Sequence, residues 1–263
     1  MSTQIHQDIS EETVRKLAAE RDEPEWLLEA RLDALDQLEA LDYPSVIKTP
    51  GRKWTNLEDL EFEALVDPLR QTEQKDQVGV DDIEVASFHD ALQDDDLAEL
   101  VEETFGSVVD PTENRLTALS TALFTTGTVI YVPAGVDAED VTIRTSMTSQ
   151  SLFNYTLVVT EQNASVTILE RQDTAADADA ADEGRYYSGV VEVDAGENSY
   201  VQYGGLQDFD QDTYNYTVKR ADADTYSTVD WIEGNLGSRL TKTSVSTELN
   251  GDSSETKIVG AFF

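Results

Sequence analysis

The side chains here that could do chemistry are nearly all carboxylates. The 263 residues hold 54 Asp and Glu against 18 Lys and Arg, two histidines and no cysteine. Without thiols the chain has no disulfide, no thiolate nucleophile and no Cys-held metal or cluster. His6 and His89 stand far apart in the amino-terminal third, so no zinc or iron site is expected from this chain alone. His89, in ASFHDAL, reads as a surface or partly packed residue. The β-rich second half contains no histidine to serve as base to a serine. Paired carboxylates are everywhere in so acidic a chain, and pairing alone does not make a glycosidase, which needs a set separation and one perturbed acid. The run DTAADADAADEGR, residues 173–185, is the densest candidate for calcium, yet it lacks the ordered Asp, Asn, Gly and terminal Glu of a calcium loop and reads as a solvated excursion. GGL at Gly204 and GNLGS at Gly234 are turn chemistry, because no strand, GK[ST] and helix surround them. No catalytic residue and no metal ligand is assigned.

The formal net charge of −36 is spread evenly: residues 1–100 carry 27 acidic and 9 basic side chains, and residues 101–263 carry the same. There is no acidic tail. A uniformly acidic surface poor in lysine is typical of proteins adapted to high salt, where ions screen the mutual repulsion. Nucleic acid is not an expected partner, since phosphate contacts require clustered Lys and Arg. No apolar run approaches the length of a membrane span, and MSTQIHQDISEE lacks the basic and apolar regions of a signal peptide, so a cytoplasmic location is expected.

The elements that must position any site change character along the chain. Ser10 before Glu11 and Glu12, and Pro24 before Glu25, are helix starts. Leu28, Leu32, Leu35 and Leu38 recur at helical spacing as an apolar stripe that ends near Tyr43 and Pro44. Further helices are expected over 87–105 and 111–124, and Gly127 releases the chain into strand at Thr128. Beyond it, NASVTILE from Asn163, ENSYVQYG from Glu197, ADTYSTVDW from Ala223 and DSSETKIVG from Asp252 each run from a polar turn into an alternating strand. The steps from Asn163 to Asn198, Asp224 and Asp252 are 35, 26 and 28 residues, too long for a hairpin meander and suited to the coils of a solenoid. A β-sandwich with irregular loops is the alternative.

Several of these segments resemble the SufB/SufD family, the scaffold subunits of the SUF iron–sulfur cluster assembly machine. EPEWLLEARLDALDQLEAL (23–41) and KTPGRKWTNLEDLEF (48–62) resemble its amino-terminal signature, and ENRLTALSTALFTTGTVIYVPAGV (113–136) its entry into the β-helix. FNYTLVVTEQNASVTILE, LQDFDQDTYNYTVKRA and DWIEGNLGS are similar to three core rungs. The resemblance implies a mostly β fold with α: an amino-terminal helical region, 1–125, followed by a right-handed parallel β-helix, 126–263, incomplete at its carboxy-terminal end. SufB-type chains carry a cysteine in an E-G-C context where this chain reads Glu170, Arg171, Gln172 and Asp173. Together with the compact stretch from Val78 to Leu92, this makes the chain more similar to SufD.

The resemblance further implies a non-catalytic scaffold that pairs with a SufB-like subunit and a SufC-like ATPase, with a homodimer as another pairing. It implies that the chain alone binds no cofactor and that the iron–sulfur cluster is assembled on the complex. The family's interior polar route, with a Gln and Trp in a Q-N-W motif and a Lys in a T-K-R motif, falls here on Gln207, Phe209 and Lys219. Gln207 and Lys219 are therefore candidate binding residues, with satisfied polar residues in a coil turn as the structural alternative. Relatives continue past the apolar stretch 257–263, so a longer gene product or a covering chain is expected there. The competing function is a β-helix enzyme acting on polysaccharide, a lyase or glycoside hydrolase.

Overall fold

The computed structural model describes residues 9–44, 60, 62–178, 181 and 184–262. His6, most of the segment 48–62 and part of the acidic run 173–185 lie outside the described residues. Among the described residues, twelve strands form two six-stranded sheets, ordered β1-β4-β6-β8-β10-β12 and β11-β9-β7-β5-β3-β2. From β3 (Thr126–Val132) the chain alternates between them: β4 (Asp137–Met147), β5 (Ser151–Thr160), β6 (Ser165–Thr174), β7 (Arg185–Ala195), β8 (Tyr200–Phe209), β9 (Thr213–Ala223), β10 (Thr228–Gly237), β11 (Leu240–Leu249) and β12 (Glu255–Phe262). Every pairing among β3 to β12 is parallel, which makes a parallel β-solenoid rather than a sandwich of antiparallel hairpins.

Register fixes the length of each coil. Ser165 pairs with Tyr200, Tyr200 with Thr228 and Thr228 with Glu255, steps of 35, 28 and 27 residues. The long step holds the acidic excursion between β6 and β7. At matching corners Asn163, Asn198, Tyr226 and Ser253 adopt φ of 59°, 55°, 61° and 60°. Asparagine tolerates this left-handed conformation, and the amides of Asn163, Asn198 and Tyr226 donate to the carbonyls of Glu197, Thr225 and Asp252 one coil on. Asn198 Nδ2 also donates to Asn163 Oδ1 at 2.8 Å, linking two corners.

The region before residue 126 is not purely helical. β1 (Glu73–Val78) pairs antiparallel with β4, and β2 (Glu84–Ser87) pairs antiparallel with β3, so this region adds one strand to each sheet. Its helices are α1 (Glu11–Glu20), α2 (Glu25–Gln37), α3 (Phe62–Leu65), α4 (Phe88–Gln93), α5 (Asp95–Thr104) and α6 (Arg115–Leu123). Ser10 caps α1, and Pro24 stands at the cap of α2. The expected helix over 87–105 is two helices, because the Asp94 side chain accepts from the amides of Asp96 and Leu97 and starts a new one. The helix expected from 111 begins later, where Asn114 caps Leu116 and Thr117. On α2 the fully buried face is Leu27, Arg31 and Ala34, and the leucine stripe 28, 32, 35 and 38 packs half-buried around it.

The helices cover the outer face of the second sheet. Phe88, Leu116, Leu119, Leu123 and Phe124 meet Phe153, Tyr155, Leu157, Tyr186, Val190, Tyr216 and Val218 in one core. A second core, of Ile130, Val158, Val166, Ile168, Val193, Val201, Val229 and neighbours, fills one side of the bore. β5 lies between these cores and is buried at every position, which is why SLFNYTLVVT shows no polar alternation. Glu192, also buried, fastens the 105–110 loop to the solenoid. It accepts from the amides of Gly106, Val108 and Val109 and from the Tyr155 hydroxyl at 2.6–3.1 Å.

Candidate functional site in the polar half of the bore

In a strand, alternate residues share a face, and in-register parallel stacking lines them into columns. Four columns of the first sheet face the bore. Two are largely apolar: Ala138, Val166, Val201 and Val229, then Val141, Ile168, Tyr203 and Trp231. The next two turn polar: Ile143, Glu170, Gly205 and Glu233, then Thr145, Gln172, Gln207 and Asn235. Across the bore, the second sheet supplies Thr128, Thr156, Val191 and Lys219.

Gln207 and Lys219 both lie mid-strand and buried, in β8 and β9, and not in a coil turn. Lys219 Nζ donates to Glu233 Oε1 at 2.8 Å and sits 4.8 Å from the centroid of the Tyr203 ring. The Tyr203 hydroxyl donates to Glu170 Oε2 at 2.9 Å, and its ring packs on Trp231. The Lys219 ammonium occupies the space above Gly205: a Cβ there would stand 2.6 Å from Nζ and 3.2 Å from a Glu233 oxygen. A side chain at this rung would compete with the ion pair for the same volume.

The two glutamines lie side by side in register but bond apart. Gln172 Nε2 donates to the Tyr187 hydroxyl at 2.8 Å, and Gln207 Nε2 to Ser238 Oγ at 2.6 Å. Phe209 packs on Tyr187 with ring centroids 4.7 Å apart, within a small cluster that includes Met147 and Leu152. Among the described residues, Gln207 Oε1 and Glu170 Oε1 have no hydrogen-bond partner. Acceptor atoms are thus left facing the bore, where an unpaired polar group is costly.

At the other end β1 turns Glu73, Lys75 and Gln77 inward. Lys75 Nζ donates to the Gly127 carbonyl at 2.9 Å, with Asn154 Oδ1 and Thr126 Oγ1 at 3.4 Å, while Gln77 Nε2 donates to Thr128 Oγ1 at 2.7 Å. Thr126 donates its hydroxyl to Glu73. Burial lowers the Lys75 pKa, against the pull of Glu73 and Glu170. Burial pushes the Tyr187 and Tyr203 hydroxyls well up, and the nearby carboxylates add to it. Burial also raises Glu233, opposed by Lys219. Phenols that stay neutral, amines and carboxylates therefore line one continuous strip. The strip contains no thiol to accept sulfur.

Sequence reasoning did not assign Glu73, Lys75, Tyr203 or Glu233 to the site. Their signal was phase: in VTILERQ and VDWIE a charged residue falls on the beat of the buried apolar ones, and EQKDQV alternates with its polar side inward. Among the described residues no group of three or more His, Asp and Glu could hold a metal ion, and no helix is long and apolar enough to cross a membrane.

Fold and strip together define a parallel β-solenoid with a charged interior. Residues 142–263 match the family model described as SUF system FeS cluster assembly, SufBD core domain, the family whose likeness was read from the sequence. The chain is 26% identical over 275 residues to the iron–sulfur cluster assembly protein SufB of Bacillus subtilis, covering 89% of this chain and 58% of that one. It is 27% identical over 280 residues to a SufBD family protein of Staphylococcus haemolyticus and 26% identical to one of Staphylococcus saprophyticus, with the same coverage. The chain spans 58% of the length of these curated relatives.

Proposed function

We propose that this chain is a non-catalytic scaffold subunit of a SUF-type iron–sulfur assembly complex in the cytoplasm, SufD-like in role, working beside a SufB-like subunit and a SufC-like ATPase. The single observation that carries this reading is the polar strip of a SufBD core with Gln172 at the place where SufB-type chains hold a cysteine. A buried amide that donates to Tyr187 can hold the strip in shape but cannot carry a persulfide. The cluster is cargo assembled on the complex, and Gln207 and Lys219 are the groups of this chain that would meet a small polar intermediate on its way. The glycan-active reading is not favoured, since Glu170 and Glu233 are buried inside the bore, where a polymer cannot reach them.

The test is co-expression with a SufC-like ATPase and a SufB-like subunit. The expected outcome is a co-purifying complex, no ATP or glycan turnover by the isolated chain, and slower cluster formation when the complex carries Gln207→Leu or Lys219→Met. Glycan cleavage by the isolated chain, or full cluster formation by both variants, would overturn the reading.

A further inference from the structure

Three oxygens at the β1 end of the bore stand apart from the rest of the strip. Among the described residues, Glu73 Oε2, Thr145 Oγ1 and Glu170 Oε1 are buried without a hydrogen-bond partner. Thr145 is wholly enclosed and Glu170 is 1% exposed. The other oxygen of each carboxylate is engaged, since Thr126 donates to Glu73 Oε1 and the Tyr203 hydroxyl to Glu170 Oε2. Register brings the three unpartnered oxygens to one place. Thr145 on β4 pairs with Lys75 on β1 and with Gln172 on β6, so Glu73, two residues before Lys75, and Glu170, two before Gln172, are its diagonal neighbours on opposite sides. Both carboxylates act on the same two groups, the Lys75 ammonium and the Tyr187 hydroxyl across the bore. Buried oxygens left unpaired in this way call for a guest that accepts them as ligands.

We propose that a single alkali cation is held over Thr145 by Glu73, Thr145 and Glu170, and that it fastens β1 to the solenoid. Charge sets the valence of the ion. Lys219 and Glu233 cancel each other as a pair at 2.8 Å, which leaves the Lys75 ammonium against two carboxylates, Glu73 and Glu170, and so one negative charge unmatched inside the bore. An unmatched buried charge is costly, and a monovalent cation removes it. A water molecule would satisfy the oxygens but leave the charge in place. A divalent ion would overshoot it, and among the described residues no group of three or more acids or histidines converges as such an ion prefers. Two carboxylates and a neutral hydroxyl are instead the oxygen set that suits a hard, singly charged ion. The ion also has a way in. Glu73, Lys75 and Gln77 are only half-buried, whereas Thr145 and Glu170 behind them are enclosed, so the site opens beside β1. A cation between β1, β4 and β6 explains why EQKDQV turns its polar side inward. This inference does not depend on the assembly role, and its test needs no partner protein.

The experiment is thermal melting of the 263-residue chain at a constant ionic strength of about 0.5 M, with tetramethylammonium chloride replaced stepwise by KCl or NaCl so that screening does not change. The wild type should gain about 3–6 °C at a tenfold excess over the half-saturating concentration of one of the two ions, with a saturating curve. Glu170→Gln, which keeps an acceptor for Tyr203, and Thr145→Val, which removes one oxygen at nearly constant volume, should each lose most of that gain. Asp222→Asn, on the outward side of β9, should keep all of it. Hydrogen exchange in β1 should slow as the ion is added to the wild type and stay fast in the two site variants. In crystals soaked in rubidium chloride, an anomalous peak should lie between Glu73, Thr145 and Glu170. Equal melting in all three salts, a gain that survives both site variants, or the absence of rubidium from this place would overturn the proposal.

Discussion

Lys219 and Glu233 show how the strip is held at the level of single side chains. Each is almost wholly removed from water, and each has the other as its charged partner 2.8 Å away. Breaking such a pair from one side leaves a bare buried charge, at a cost of about 3–5 kcal/mol, whereas replacing both partners by apolar groups is often close to neutral. Lys219→Met should therefore destabilise the chain by about that amount in urea unfolding, and Lys219→Met with Glu233→Leu should recover most of it. The pH dependence has a definite sign. A carboxyl whose folded pKa lies above its unfolded value binds extra protons in the native state, so stability falls as pH rises between the two values. Removing Lys219 takes away the group that opposes the rise. The single variant should lose more stability than the wild type on going from pH 5 to pH 7, and parallel pH profiles would show that the pair does not act as the geometry implies. A family motif marks Gln207 and Lys219 in the sequence, and both lie buried along the strip. Glu233 carries no motif, and only its phase in the strand points inward.

At the level of elements, one arginine ties the helical layer together. Arg31 is fully buried on α2, pairs with both carboxylate oxygens of Glu23 at 2.7 and 2.8 Å, and donates to the carbonyls of Thr121 and Ala122 near the end of α6. Its guanidinium also lies 3.9 Å from the centroid of the Phe124 ring. The EPEWLLEAR signature thus sets an acid just before α2 and a base within it, so that the base, held by the acid, caps the end of α6, where a cation is favoured. Arg31→Leu should cost about 3–5 kcal/mol, because Glu23 is left buried without its partner. Hydrogen exchange should speed up in α2 and α6 well before it does in the strands, and uniform loss of protection would argue against a local clasp. The helix starts at Ser10 and Pro24 were legible from capping chemistry, and the coils were legible from their turn-to-strand repeat. β1 was not, because EQKDQV presents its polar side to the interior and its one large apolar residue, Val78, to solvent, the reverse of the usual amphipathic strand. Nothing within such a segment says that the space it faces is polar, since that is decided by Glu170 and Asn154 from strands far along the chain.

For the whole molecule, parallel stacking turns an acidic sequence into ladders of like charge. Asp194, Asp222 and Glu248 are in register on β7, β9 and β11, facing one another across rungs about 4.8 Å apart. Burial raises the pKa of Asp194, with Asp224 adding to it, and burial raises that of Asp222, with Glu248 and Asp194 adding to it against a hydrogen bond to Asn250. Like charges directly opposite in a sheet cost roughly 0.2–1 kcal/mol per pair, and the net charge of −36 adds a diffuse repulsion over the surface. The screening length is about 10 Å at 0.1 M salt and about 3 Å at 1 M. The rung spacing falls between these lengths, so the ladder repels in dilute buffer and is largely screened in concentrated salt. Melting temperature should accordingly rise steadily from 0.1 M to 2 M KCl. At low salt it should also rise as pH falls from 7 toward 5, because both aspartates have folded pKa values above their unfolded ones and the penalty for their charge is relieved by protonation. Asp222→Asn, at the centre of the ladder, removes two repulsive neighbours at once while its amide retains an oxygen acceptor. It should stabilise the chain by about 0.5–1 kcal/mol at 0.1 M KCl and by almost nothing at 2 M. A gain that persists undiminished at high salt would locate the effect in packing rather than charge, and a loss at low salt would mean that the carboxylate is held by attractive contacts that outweigh its neighbours. Only the salt-dependent gain is consistent with an acidic solenoid whose stability is set by the ions around it.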